Sequence, residues 1–156
     1  MKKSPVKFVA LAGLLAVALT TVAVRNPPLA ARSEKPTITV YKSPTCGCCK
    51  SWIEHVKKHG YQVDAKDTPD MAEIKRTLGV PDGLTSCHTA IVNGYLIEGH
   101  VPAADIDRLL AQKPKVAGLA VPGMPMGSPG MEGPTPQPYQ VMSFDKSGKT
   151  AVFAKH

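Results

Sequence analysis

Apolar positions along this chain change period from one stretch to the next, and the changes mark its elements. Residues 8–24, FVALAGLLAVALTTVAV, form an uncharged apolar run of 17 residues behind the basic MKKSPVK. With small residues at Ala30 and Ala31, residues 1–31 read as a secretory signal peptide, cleaved after Ala31 or earlier, after Ala23. An uncleaved anchor is the alternative, at the short edge for a membrane span. The Pro-rich NPPLAARSEKP (26–36) leads on as a linker, of which 32–36 remain after cleavage. TITVY (Thr37–Tyr41) alternates β-branched residues at period two and predicts a strand. After a break at Ser43-Pro44-Thr45, CKSWIEHVKKHG places Trp52, Ile53 and Val56 on one helical face and stops at Gly60. YQVDAKD predicts a second strand. Asp67-Thr68-Pro69 offers a helix start, and Met71, Ile74 and Leu78 carry a second helix to Gly79.

HTAIVNGYLIEGHV is a hairpin signal, two apolar runs joined by Asn93-Gly94, the pair that suits a type I′ turn. PAADIDRLLAQ opens with Pro102 and lines Ile106, Leu109 and Leu110 along a third helix. The predicted order is β-α-β-α-β-β-α. Beyond residue 113 the period is lost: KPKVAGLAVPGMPMGSPGMEGPTPQP is rich in Gly and Pro and predicts irregular chain throughout. YQVMSF and KTAVFAK then flank Asp145-Lys146-Ser147-Gly148 as a closing hairpin. That hairpin ties the Gly/Pro stretch at both ends and lets it lie over the domain.

Charge changes the picture little. The formal net charge is +7, but cleavage after Ala31 removes four basic residues and no acid, leaving fifteen bases against twelve acids, or +3. The remaining bases are scattered and lack interleaved aromatics, so no nucleic-acid footprint is present.

Cysteine changes it more. Cys46, Cys48, Cys49 and Cys87 all lie in the exported part, where disulfides are allowed. A purely structural staple is the weaker reading, because three of the four sit in one tetrapeptide, CGCC, and adjacent Cys48-Cys49 rarely bridge without strain. Cys46 and Cys49 have C-x-x-C spacing between a strand and a helix, the arrangement of thioredoxin-like folds. The expected fold class is therefore α/β: a thioredoxin-like domain over 37–113, with residues 114–156 packed on it as a Met-rich loop and hairpin. A helix starting near Cys48 would turn unpaired N–H groups and a positive dipole toward the cysteines and favour thiolate, helped by Lys42 and Lys50. Cys87-His88 stands just before the third strand, where thioredoxin-like folds place a loop against the redox cysteines, usually through a cis-proline. By this fold-level analogy Cys87 or His88 reaches the CGCC segment across about 40 residues.

Four gathered sulfurs admit zinc, yet structural zinc sites usually pair C-x₂₋₄-C with a separate two-ligand element. Three cysteines in one turn suit bridging thiolates and Cu(I), which takes two or three soft ligands. Met124 and Met126, with Met131 close behind, add thioethers that no disulfide can consume. His55 and His59 lie four apart but lack partners and are taken as solvated helix positions; His100 and His156 carry no assignment.

Taken together, VYKSPTCGCCKSW (40–52), DGLTSCHTAIVNGYLIEGHVPAADIDRLL (82–110) and GLAVPGMPMGSPGME (118–132) resemble the CopG-type family. These are small exported proteins of thioredoxin-like fold from bacterial copper- and silver-resistance gene clusters, once known only as a domain of unknown function. The resemblance spans roughly residues 36–155 and implies periplasmic copper handling, with Cys46, Cys48, Cys49 and Cys87 as the sulfur site. It leaves open whether copper is stored, passed on or changed in oxidation state. The expected function is a periplasmic copper-binding protein in copper resistance, with Cu(I) on the four thiolates and room for more than one ion. His88 and Met124 or Met126 would complete or cover the site. If Cys46 and Cys49 are redox active, the chain becomes a copper oxidoreductase coupling Cu(I)/Cu(II) to thiol redox. A thiol–disulfide oxidoreductase acting on proteins through Cys46 and Cys49 is the alternative. Expected partners are copper ions and other periplasmic copper-resistance proteins, no nucleic acid, and the membrane only through an uncleaved signal segment.

Overall fold

Period-two alternation builds the first strand, β1 (Ile38–Lys42), with Ile38 and Val40 fully buried. The computed structural model describes residues 34–156; the signal-peptide reading of residues 1–31 and the first linker positions lie outside them. Helix α1 (Gly47–Lys58) buries Cys49, Trp52, Ile53 and Val56, the face its spacing predicts. Strand β2 (Val63–Asp67) is two residues shorter than expected, because Tyr61 turns into the core and its hydroxyl donates to Asp107 at 2.5 Å. Helix α2 (Met71–Leu78) is capped by Asp70, whose carboxylate accepts from the Glu73 amide at 2.9 Å; Asp67 instead ends β2 and pairs with Lys42. A single 3-10 turn (Asp82–Leu84) leads into β3 (Thr89–Val92) and β4 (Tyr95–Glu98). Their turn residues Asn93 and Gly94 have φ of 46° and 82°, the positive values a type I′ turn needs. Helix α3 (Ala103–Gln112) follows, then β5 (Gly118–Ala120), β6 (Gln140–Phe144) and β7 (Thr150–Lys155). Among the described residues, no helix is long and apolar enough to cross a membrane.

All seven strands join one sheet, in the order β2-β1-β3-β4-β5-β6-β7. The two parallel pairs, β1/β2 and β4/β5, are those whose strands are joined through a helix, as a parallel crossover requires. Alternate strand positions supply two clusters on opposite faces. Ile38, Val40, Ala90, Val92, Ile97 and Leu119 pack with α1 and α3; Leu84, Ala120 and Phe144 gather on the other face.

Strand β5 corrects the expectation of irregular chain throughout 114–138. Its three residues are buried, and Gly118 explains how a Gly/Pro-rich stretch can pair: a Cβ there would run into the Leu96 carbonyl and lie 2.8 Å from its carbon. Local composition argues against a strand, but the exposed edge of β4 offers partners that override it. The closing hairpin therefore extends the main sheet through β5 and does more than tie down a loop. Across the sheet's end, Arg108 donates to the Phe153 carbonyl at 3.0 Å, and His156 meets Asp105 at 2.7 Å. Gly118→Ala should cost about 2–3 kcal/mol, since backbone cannot yield as a side chain does. Urea unfolding checks it; a cost under about 1 kcal/mol would mean that β5 contributes little.

Candidate metal centre

The CGCC segment folds as the joint between β1 and α1. Cys46 is the helix N-cap, and its sulfur accepts from the Cys49 amide at 3.2 Å. C-x-x-C spacing over one helical turn brings Cys46 and Cys49 to a Cα separation of 5.4 Å, and they form a disulfide. The Cys48 sulfur lies beside that pair, 3.5 Å from Cys46 Sγ and 3.8 Å from Cys87 Sγ. Cys48 and Cys87 are free, half-buried thiols. All four sulfurs lie within 4.8 Å of one another.

Cys87 arrives there because the segment around it is hung from one buried carboxylate. Glu98 accepts from the Ser86 amide at 2.6 Å on one side and from the Thr89 hydroxyl at 2.7 Å on the other. Lys75 of α2 balances its charge at 2.5 Å. The Gly99 amide donates to the His88 carbonyl at 2.9 Å, between those two anchors. Burial and the neighbouring Cys48 push the Cys87 thiol up to about 12. His88 is fully buried, its ring 4.5 Å from that of Trp52, and burial, then His100 and Lys75, hold it well below the usual imidazole range. His100, also fully buried, places Nε2 3.0 Å from Cys87 Sγ.

The Gly/Pro loop closes over the start of α1. Gly130 sits on the helix backbone: a Cβ there would lie 2.7 Å from the Trp52 amide nitrogen and 2.8 Å from the Cys48 carbonyl oxygen. Next to it, the Pro129 carbonyl accepts from His100 Nδ1 at 2.7 Å. The loop is also tied to the Cys87 segment, since the Gly123 amide donates to the Thr85 carbonyl at 3.1 Å and the Ser86 hydroxyl donates to the Gly123 carbonyl. The Gly130 amide and its own backbone amide hold the Glu132 carboxyl below the usual carboxylate range.

Of the residues singled out from sequence, Cys46, Cys48, Cys49, Cys87 and His88 converge. Met124 and Met126 stand on the outside of the loop, 53% and 36% exposed, with the Met126 sulfur against Gly133. Lys42 is buried and paired with Asp67, so its charge is spent there; Lys50 is exposed. His55 is half-buried and not a solvated position: its Nε2 accepts from the Ala103 amide at 3.1 Å, which caps α3. Two participants escaped sequence reasoning, His100 and Glu98. The signal that could have found them was EGH at the end of the second run of the predicted hairpin, facing SCHT at the start of the first.

Residues 84–131 match the family described as "Protein of unknown function, DUF411". No curated protein matches the chain. A solved structure of copper resistance protein CopG in its form 2 is 45% identical, covers 79% of this chain and 99% of its own, and superposes with a TM-score of 0.75. The form 1 structure is also 45% identical, over 79% of this chain and 98% of its own, with a TM-score of 0.74. With nearly half its residues shared along almost the whole length of that protein, the chain belongs to the CopG family of copper-resistance proteins.

Proposed function

We propose that the chain is a periplasmic copper-binding protein of copper resistance that takes Cu(I) on Cys46, Cys48, Cys49 and Cys87. The observation that carries the reading is four sulfurs within 4.8 Å of one another, drawn from two segments 39 residues apart. Soft thiolates in that number suit Cu(I), and the spread allows bridging of more than one ion. Full loading needs the Cys46–Cys49 disulfide reduced, so copper and thiol chemistry are linked. Closing that disulfide releases two electrons and two protons, enough to reduce two Cu(II) to two Cu(I). His88 and Met124 or Met126 complete or cover the site, the methionine by turning inward from its exposed position on the loop. Because the Cys87 thiol holds its proton to about pH 12, copper must displace that proton, and affinity rises with pH over the neutral range.

Anaerobic Cu(I) titration of the reduced chain against bathocuproine tests the reading. Tight uptake is expected, reduced in stoichiometry or affinity by Cys48→Ser; no tight uptake would sink it. Met124→Ala/Met126→Ala should weaken Cu(I) retention, and unchanged retention would make the loop's methionines bystanders. The Cys46–Cys49 disulfide favours a second reading, a thiol–disulfide oxidoreductase acting on proteins. That reading requires full reductase activity in Cys48→Ser without copper.

A further inference from the structure

Strand directions give the sheet two unlike ends. Because β3 runs against β1 and β5 runs with β4, one end carries the start of β1, the β3–β4 turn, the start of β5 and the β6–β7 turn. The CGCC segment after β1 and Cys87 before β3 lie at the other. Bases that look scattered along the sequence gather at the first end. Residues 113–117 and 145–149 hold Lys113, Lys115, Lys146 and Lys149, all exposed, and none of the four forms an ion pair among the described residues. The one acid in these two loops, Asp145, is folded onto its own turn, where Oδ1 accepts from the Ser147 and Lys149 amides at 2.8 and 3.0 Å. Four lysines against one acid leave +3 in these loops, as large as the excess of residues 32–156 as a whole.

Between the lysines the surface is hollowed and apolar. Lys115 and Lys146 line a hollow of about 420 Å³ with Val116 and Ala117, and Lys146 also borders one of about 440 Å³ lined by Leu78, Ile91 and Leu96. Ammonium groups on apolar stems, set around apolar relief, match a surface of anionic headgroups over acyl chains. An acidic protein would match the charge alone. The chain also enters β1 at this end, so the apolar run of residues 8–24, which meets a bilayer during export on the signal-peptide reading, is joined to the domain here.

We propose that this lysine end is an interaction surface for anionic phospholipid, on which the exported domain rests with its sulfur cluster turned away from the bilayer. No large apolar side chain of the two loops is exposed for insertion, so the attachment is electrostatic, reversible and screened by salt. It concerns the end opposite the cysteines and stands or falls independently of the copper reading.

The test uses residues 32–156, which carry every described element and both apolar clusters, so the fold does not depend on what precedes them. Co-sedimentation is measured with vesicles of phosphatidylcholine alone and of equal parts phosphatidylcholine and phosphatidylglycerol. Binding is expected to the mixed vesicles only, and should be lost at about 1 M salt, where the screening length falls to about 3 Å. Lys115→Gln/Lys146→Gln should lower the affinity about 20–30-fold, at about fivefold per lysine. Lys50→Gln/Lys155→Gln removes the same charge from exposed positions at the opposite end and should lower it less than about threefold. Mixed vesicles should also slow amide exchange over residues 113–117 and 145–149 and leave residues 43–49 unchanged. Equal binding to both vesicles, or equal loss from the two double variants, would overturn the proposal. So would binding to polyglutamate without binding to vesicles, which would assign the surface to an acidic protein.

Discussion

Glu98→Ala will lower the unfolding free energy by about 3–5 kcal/mol, the range for breaking a buried ion pair from one side. The carboxylate is fully buried, and its removal takes an acceptor from three donors at once: the Ser86 amide, the Thr89 hydroxyl and the Lys75 ammonium, which keeps only the Thr89 oxygen. The lower end applies if Lys75 withdraws to solvent, which α2, with no buried residue of its own, makes easy. Glu98→Gln keeps an oxygen for Ser86 and loses only the charge, so its cost should be about 1–3 kcal/mol. Because Ser86 and Thr89 bracket Cys87-His88, the alanine variant should also lose Cu(I) affinity even where it is still folded. Urea unfolding with a bathocuproine titration measures both. A loss under about 1 kcal/mol, with copper uptake intact, would show that the carboxylate does not hold the Cys87 segment.

Gly130→Val will detach the loop from α1. At φ +84° a β-branched side chain is strained by about 1–2 kcal/mol, and its Cβ would meet backbone atoms of Cys48, Ser51 and Trp52 at 2.7–3.2 Å. Helix backbone cannot yield, so the loop must, and Pro129 leaves His100 with it. Gly123→Ala is the control: φ is also positive, at +67°, but nothing lies within 4 Å of a Cβ there. Amide hydrogen exchange over residues 124–131 should rise strongly in Gly130→Val and little in Gly123→Ala. Metal affinity should fall by about 10–100-fold in the first alone, the usual effect of removing a group that orients a ligand. Equal exchange in the two variants would mean that the loop is not seated on the helix.

Much of this fold was legible before any coordinates, because its elements are short and strongly patterned. Alternation in β1, the apolar face of α1 and the Asn93-Gly94 turn are local signals, and local sterics enforce them. The misreadings have one cause, tertiary partners that local pattern does not contain. Tyr61 left β2 for a hydroxyl partner on α3, and residues 118–120 became a strand because β4 had an unpaired edge and Gly118 could approach it. His55 looked solvated until α3 brought the Ala103 amide to it.

The candidate site divides the same way. CGCC announces clustered sulfur by itself, since one helical turn places C-x-x-C sulfurs together whatever the rest of the chain does. What the sequence by itself determined was therefore the element order through α3, the clustering of sulfur and the family. Only the tertiary structure decided which distant residues complete the site. Sheet pairing β3/β4 sets Glu98 opposite Thr89, which hangs the Cys87 segment and delivers His100 to its sulfur. A positive-φ glycine lets the loop reach the helix and turn that imidazole. Neither contact has a local signature, because each is an encounter between segments that touch only after the sheet has formed.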